Sequence, residues 1–421
     1  MNRRQLLTYA GAAGLFGVLA PRLRVARAAP APANKRRLIL VMARGGWDPT
    51  FALDPKTQST MIDVPAGSRQ LFGNLPVFTD ASRPNVTAYF NAHGARTTIV
   101  RGISVASVSH IECVKRMATG TRSETNADMG AIVAHDNGNE LPMPYLILGD
   151  TAFAGKYAVS AGRVGNTNQI IALLDPAQAY QTDGRAPVVT TDAEDALIAA
   201  YADATVERER AVRGANGYNK ARLDDFREAI DRGKQLKSVR AGFGSRGRAL
   251  TIPGQVQLAL DALQQGISQC AMISTRFSWD SHEDITEQTG FHEDTFAALT
   301  GLMDGLVARP GLMTGSRMIE DTTVIVFSEM GRTPKRNAGG GKDHWPVTSA
   351  MVMGAGIRGG RAFGATTDKM EAAAVDFQTG APSASGRVVT STHFVAGVLK
   401  ACGVDPSLHL GPTEVFGAFV A

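Results

Sequence analysis

The chain has 421 residues, 44% hydrophobic and 20% charged, with a formal net charge of +5. These are ordinary proportions for a globular protein. Residues 1–28 hold five arginines and no acid, so the remainder is near neutral and the basic balance gives no argument for nucleic acid.

The first segment reads as an export signal. Arg3 and Arg4 precede a mild apolar stretch over 6–20 that contains Gly11, Gly14 and Gly17. It is shorter than the roughly 20 apolar residues of a membrane span. Ala26-Arg27-Ala28 offers a small-x-small cleavage pattern. The adjacent arginines suit the twin-arginine route, which carries folded cargo; an ordinary secretory signal is the plainer alternative. The expected partner is the twin-arginine export machinery, and the expected location is periplasmic or secreted. Residues 29–35 form a Pro/Ala linker. No second long apolar segment follows, so no stable membrane span is expected after cleavage. Cys113, Cys270 and Cys402 show no CxxC spacing, so the fold is not built on disulfides.

Beyond the linker, short apolar runs predict strands over 38–42, 98–100, 145–148, 271–277, 323–327 and 349–353. Helices are predicted over 255–269, 292–307 and 393–401. A charged helical hairpin, broken near Gly214 and Gly217, is expected over 192–237. Residues 354–364 and 379–386 read as loops. Strands alternating with helices imply an α/β fold, a mostly parallel central sheet with helices on both faces. A single domain over 36–421 with a helical insertion near 190–240 is the expected organisation.

Ligands bind beyond the carboxyl ends of the strands in such a sheet. Three predicted strand ends lead into polar clusters: Arg44-Gly45-Gly46-Trp47-Asp48, Ser278-Trp279-Asp280-Ser281-His282, and Ser328-Glu329-Met330-Gly331-Arg332. A further loop holds Lys342-Asp343-His344-Trp345. Carboxylate oxygens with imidazole nitrogens make the ligand set of hydrolytic zinc or manganese sites. Each residue also has a plainer role. Asp48 suits a turn or helix N-cap, His282 a surface histidine, and Glu329 an ion pair with Arg332. All three tryptophans of the chain, Trp47, Trp279 and Trp345, stand beside these clusters. They read as walls of a site or as plugs at the top of the sheet. His93, His135, His393 and His409 lack such company, and His292 stands with two acids at a predicted helix start. A redox enzyme is disfavoured: no GxGxxG follows the first strand, and the cysteines do not cluster.

In order, Gly-Gly-Trp-Asp, Trp-Asp-Ser-His, Phe-Ser-Glu-Met-Gly-Arg-Thr-Pro and Asp-His-Trp resemble an exported bacterial family, domain of unknown function 1501. That family is similar to the alkaline phosphatase and sulfatase superfamily. The resemblance runs from about Arg37 to Gly411 on the element count used above. It implies an alkaline-phosphatase-like fold, a bound divalent metal (zinc, manganese or calcium), and hydrolysis of an anionic phosphate or sulfate ester. Asp48 falls where the superfamily has a metal-binding acid. Ser328-Glu329-Met330-Gly331 stands where its members show Ser-Asp-His-Gly. Asp280 and His282 fall near a ligand pair usually spaced four apart, and here spaced two apart. Asp343 and His344 would supply the missing imidazole. The implied metal set is Asp48, Asp280, His282, Glu329, Asp343 and His344. Counting back from Thr119-Gly120 places His110 where the nucleophile stands, and Cys113 lacks the proline of a formylglycine precursor. His110 is then nucleophile or base, and Arg44 or Arg332 steadies the anion. The competing expectation is a non-catalytic binding or assembly protein on a degenerate hydrolase scaffold.

Overall fold

The computed structural model describes residues 35–64, 67–123, 125–149, 151–164, 191–214, 217–238 and 251–421. The expected signal over 1–28, and the linker apart from Lys35, lie outside the described residues.

The apolar run after the linker forms β1 (Arg37–Met42), buried along its whole length. Its residues alternate between two separate cores. Ile39 and Val41 face one, while Leu38, Leu40 and Met42 face the other. A strand covered on both faces needs apolar side chains at every position, which explains the continuous run.

Eleven further strands follow. They are β2 (Ser68–Phe72), β3 (Leu75–Thr79), β4 (Thr97–Ser104), β5 (Tyr145–Ile147), β6 (Ala161–Arg163), β7 (Cys270–Ser274), β8 (Thr322–Phe327), β9 (Gly331–Arg332), β10 (His344–Trp345), β11 (Val347–Gly354) and β12 (Arg361–Gly364). Eight form one sheet in the order β12-β4-β11-β8-β1-β7-β5-β6. Only β11 runs against the rest, pairing antiparallel with both β4 and β8. The expected mostly parallel sheet is therefore present. β2 with β3, and β9 with β10, make two small antiparallel ribbons.

Helices cover both faces. α1 (Pro84–His93), α6 (Ile252–Gln264) and α7 (Glu287–Ala308) pack on the Ile39 side. α2 (His110–Thr119), α3 (Met129–Gly138) and α8 (Ser391–Ala401) pack on the Leu38 side. α4 (Asp192–Arg213) opens with a Thr191–Glu194 capping box, and α5 (Gly217–Ser238) follows it. The two are joined by Arg227–Glu207 (2.6 Å), Lys234–Asp203 (3.7 Å) and Arg210–Asp224. That register is the expected hairpin. Short α9 (Ser407–Leu410) follows α8 near the end of the chain.

The sequence reading differs in places. The strand predicted over 271–277 stops at Ser274, because the chain turns at Arg276, which has φ +62°. The stretch read as loop over 354–364 contains β12, an edge strand paired with β4 through Arg361–Gly364. The helix predicted from 292 begins at Glu287, which places His292 in its second turn and buries it. All three cysteines are free and buried. No described helix is long and apolar enough to cross a membrane.

Candidate metal centre

The parallel strands β1, β4, β7 and β8 end at one edge of the sheet, and the reversed strand β11 begins there. That reversal brings a residue before a strand, His344, to the place where other residues arrive after strands. His110 opens α2 after β4, Asp280 and His282 follow β7, and Glu329 follows β8.

Three imidazoles converge on one carboxylate. His110 Nε2 lies 3.2 Å from Asp280 Oδ2. His282 Nε2 and His344 Nε2 lie 3.0 and 3.1 Å from Asp280 Oδ1, and 2.9 Å from each other. In each ring the other nitrogen is held by an acceptor. His110 Nδ1 meets Glu329 Oε1 at 2.8 Å, His282 Nδ1 meets Asp343 Oδ1 at 3.0 Å, and His344 Nδ1 meets the Val108 carbonyl at 2.8 Å. A carbonyl or ionised carboxylate only accepts, so Nδ1 carries the hydrogen in each ring. In their neutral forms the rings then present Nε2 lone pairs to one another and to a carboxylate. Such an arrangement needs positive charge at its middle, supplied by protons or by a metal ion.

The electrostatics agree. The hydrogen bond to Glu329 raises His110 above the ordinary imidazole value; burial opposes this, and the charges of Glu329 and Asp280 add to it. Burial pushes Asp280 up, but the hydrogen bond and charge of Arg332, a hydrogen bond from His344 in its protonated form and the His110 charge overcome it, leaving it at about 2. Asp343 is held low by hydrogen bonds from Asn337 and His282.

The donor set fits a divalent ion. His110 Nε2 is buried without an aligned hydrogen-bond partner. Ligand atoms of His110, Asp280 and His344 all lie within 4.8 Å of one another. Two Nε2 atoms and a carboxylate oxygen make an imidazole-rich donor set, with His282 Nε2 beside it at 3.0 Å from Asp280 Oδ1 and 2.9 Å from His344 Nε2, and the acceptors behind the rings are those that fix the tautomer of metal-binding histidines.

The remaining expected residues take other places. Glu329 and Asp343 hold rings from behind. Glu329 is wholly buried and accepts from the Gly45 amide at 2.8 and 3.1 Å. Asp48, expected as a ligand, is not brought into the cluster. Its Oδ1 caps a single turn (Pro49–Phe51) by accepting from the Thr50 amide and hydroxyl at 2.9 and 2.7 Å, and its Oδ2 accepts from Lys342 Nζ at 2.6 Å. Arg332, expected to steady a substrate anion, is buried. It donates to the Gly46, Lys342 and Trp279 carbonyls (2.7, 2.9 and 3.1 Å), to the Gly45 carbonyl, and to Asp280 at 2.7 Å. Its donors are spent on the scaffold. Arg44 is exposed where β1 ends. His110, expected as nucleophile or base, has both nitrogens in the cluster.

Two tryptophans are supports rather than walls. Trp47 and Trp279 are buried edge to face at 6.1 Å, and their indoles donate to Thr348 Oγ1 (3.0 Å) and Thr275 Oγ1 (2.8 Å). Trp345 is half-buried and donates to the Met370 carbonyl at 2.7 Å. Sequence reasoning missed Gln288. Its side chain accepts from the Asp48 amide at 2.6 Å and donates to the Trp279 and Gly46 carbonyls at 2.8 and 3.1 Å. A glutamine in a helix carries no signal of this. Sequence reasoning also missed Val108, whose backbone carbonyl alone takes part.

Similar solved structures include a protein in the alkaline phosphatase superfamily from Vibrio parahaemolyticus, at 11% identity, 96% of this chain and 76% of that one covered, and a TM-score of 0.39. A sulfatase from Pseudoalteromonas sp. is similar at 10% identity, with 88% and 68% covered and a TM-score of 0.37. A lipoteichoic acid synthase from Listeria monocytogenes is similar at 10% identity, with 92% and 76% covered and a TM-score of 0.35. No curated protein matches the chain. The family model described as "Protein of unknown function (DUF1501)" matches residues 35–410, and the chain belongs to that family.

Proposed function

We propose that this chain is an exported, metal-dependent hydrolase of phosphate or sulfate esters, with its ion held by His110, Asp280, His282 and His344. The observation that carries the reading is the convergence of three Nε2 atoms on the Asp280 carboxylate, each ring fixed through Nδ1. Imidazole nitrogen favours zinc, and manganese less; calcium takes oxygen ligands. Such an ion would polarise a phosphoryl or sulfuryl oxygen and lower the pKa of water. Glu329, Asp343 and the Val108 carbonyl orient the rings, and Arg332 holds Asp280. Arg44, exposed where β1 ends, is the residue that would meet the anion in this reading. With both His110 nitrogens committed, the reading includes no covalent histidine step. Export through the twin-arginine machinery rests on Arg3-Arg4 and the apolar stretch after them.

A second reading, metal or ligand binding without turnover, is favoured by one observation. Among the described residues, no serine, threonine or cysteine side chain bonds to the four converging groups.

The test uses the full chain expressed with its leader, recovered from the periplasm without chelator, beside Asp280→Ala/His344→Ala. Metal is measured by plasma mass spectrometry, and aryl phosphate and aryl sulfate turnover by absorbance. One zinc or manganese per chain, lost in the variant along with turnover, is the expected result. Metal without turnover of either ester supports the second reading. A folded chain without metal, after zinc and manganese have been supplied, sinks the hydrolase. Failure to reach the periplasm sinks the export route.

A further inference from the structure

Beneath the converging histidines lies a second layer of charge that no ligand role absorbs. Lys342 and Asp48 are both completely buried, and they meet at 2.6 Å. An ion pair so far from water has little net value as a stabilising device, since desolvating both groups offsets their attraction. Its geometry shows what it does instead. Lys342 touches all three loops that follow β1, β7 and β8. Its Nζ reaches Asp48 beyond β1, its amide donates to the Ser281 carbonyl at 3.1 Å beyond β7, and its carbonyl accepts from Arg332 at 2.9 Å beyond β8. Ser281 stands between Asp280 and His282, and Lys342 is followed directly by Asp343 and His344.

Asp48 is fixed in turn. Its second oxygen is held by Thr50, and its amide by Gln288. The Lys342 ammonium also sits 6.0 Å from the centre of the Phe51 ring. The pair therefore links a rigid turn after β1 to the hairpin that carries Asp343 and His344.

We infer that Asp48 and Lys342 are positioning residues, which set the distance between His344 and the Asp280–His282 loop without touching the ion. The inference rests on the metal-centre reading. A lysine–carboxylate pair is suited to this role because it is short, directional and protected from competing water. Removing one partner would leave a buried charge unpaired and confuse positioning with folding. The informative variant is therefore Asp48→Asn/Lys342→Met, which removes both charges at similar size.

The experiment titrates the full chain with Co2+, reading affinity and the visible absorption of the bound ion, with folding followed by circular dichroism. His344→Ala is the control for loss of a ligand. The expected result for the double variant is a folded protein with Co2+ affinity lowered about 10-fold or more and an altered absorption band. A folded double variant with wild-type affinity and spectrum overturns the inference and leaves the pair a plain packing element. Should the double variant not fold, Asp48→Glu decides. It keeps both charges but moves Lys342 by one methylene, so an unchanged affinity and spectrum overturn the inference there too. A folded wild-type chain that takes up no Co2+ overturns the metal-centre reading itself, and this inference with it.

Discussion

Glu329 shows how one buried side chain can serve fold and site together. Its carboxylate accepts from the Gly45 amide and from His110 Nδ1, and it is inaccessible to water. Glu329→Gln preserves the shape but removes the charge and one acceptor, so one N–H of the new amide faces a donor. We expect zinc affinity, measured by competition with a chromophoric chelator, to fall about 10- to 100-fold, the usual cost of losing an orienting partner of a ligand histidine. Urea unfolding of the metal-free protein should show a loss of about 1–3 kcal/mol from the unsatisfied buried group. Unchanged zinc affinity would remove Glu329 from the centre and leave it a packing residue. Asp280 differs in kind. Its carboxylate stays partly open to water, and although burial raises it, the hydrogen bond and charge of Arg332 hold it at about 2.

At the level of elements, the centre depends on turns at the ends of strands. Gly45 has φ +123°, and a Cβ there would lie 2.6 Å from the Asp280 amide nitrogen and 2.7 Å from that of Trp279. Both are backbone atoms, which cannot swing aside. Gly45→Ala should therefore cost more than about 1 kcal/mol in urea unfolding, and it should separate the β1 and β7 loops enough to abolish stoichiometric zinc uptake. A variant that retains full zinc binding would show that the two loops need not meet so closely. This turn was legible in the sequence: a buried strand followed by Gly-Gly and an acid marks a strand end, and short continuous apolar runs located β1, β7 and β8, though the run read for β7 extended past Ser274. The reversal of β11 was not legible, because a run of apolar residues does not carry direction. The role of Asp48 was weighed as cap or ligand. The structure makes it the cap, through the Thr50 amide and hydroxyl, and gives its other oxygen to a lysine 294 residues away that no local pattern connects to it. His110 was singled out through a motif count, yet its neighbours Glu329 and Asp280 come from other strands, so its place among the converging rings required the fold. The hairpin β2–β3 escaped notice because β2 is largely exposed and lacks the alternation that marks a half-buried strand.

Over the whole molecule, the same packing makes stability depend on acid through a residue outside the centre. His292 is buried between Trp47, stacked on it at 6.0 Å, and Trp279, edge-on at 4.9 Å. Burial lowers its pKa from 6.5 to about 3, and the Arg83 charge adds to the effect. The folded pKa lies below the unfolded one, so between these values the unfolded chain binds a proton that the folded chain refuses. Stability is then full above about pH 6.5 and falls as pH drops towards 3. From these two values the loss between pH 7.5 and pH 5 is about 2 kcal/mol from this residue. Asp128 acts in the opposite sense. Burial raises it to about 6, so the folded state holds its proton more tightly, and its contribution is present at low pH and lost as pH rises through 6. The net slope of the wild-type protein mixes these and other groups, so the measurement must be a difference. His292→Phe keeps an aromatic ring between the tryptophans and removes the titration. Urea unfolding of both proteins in the metal-free state at pH 7.5 and pH 5 should show the wild type losing about 2 kcal/mol more than the variant over that interval. Equal losses would mean that His292 takes up its proton in the folded state as readily as in the unfolded one. The tryptophan pair beneath the strand-end loops would then have to open to water well above pH 3, and the rigid floor that the centre stands on would be lost with it.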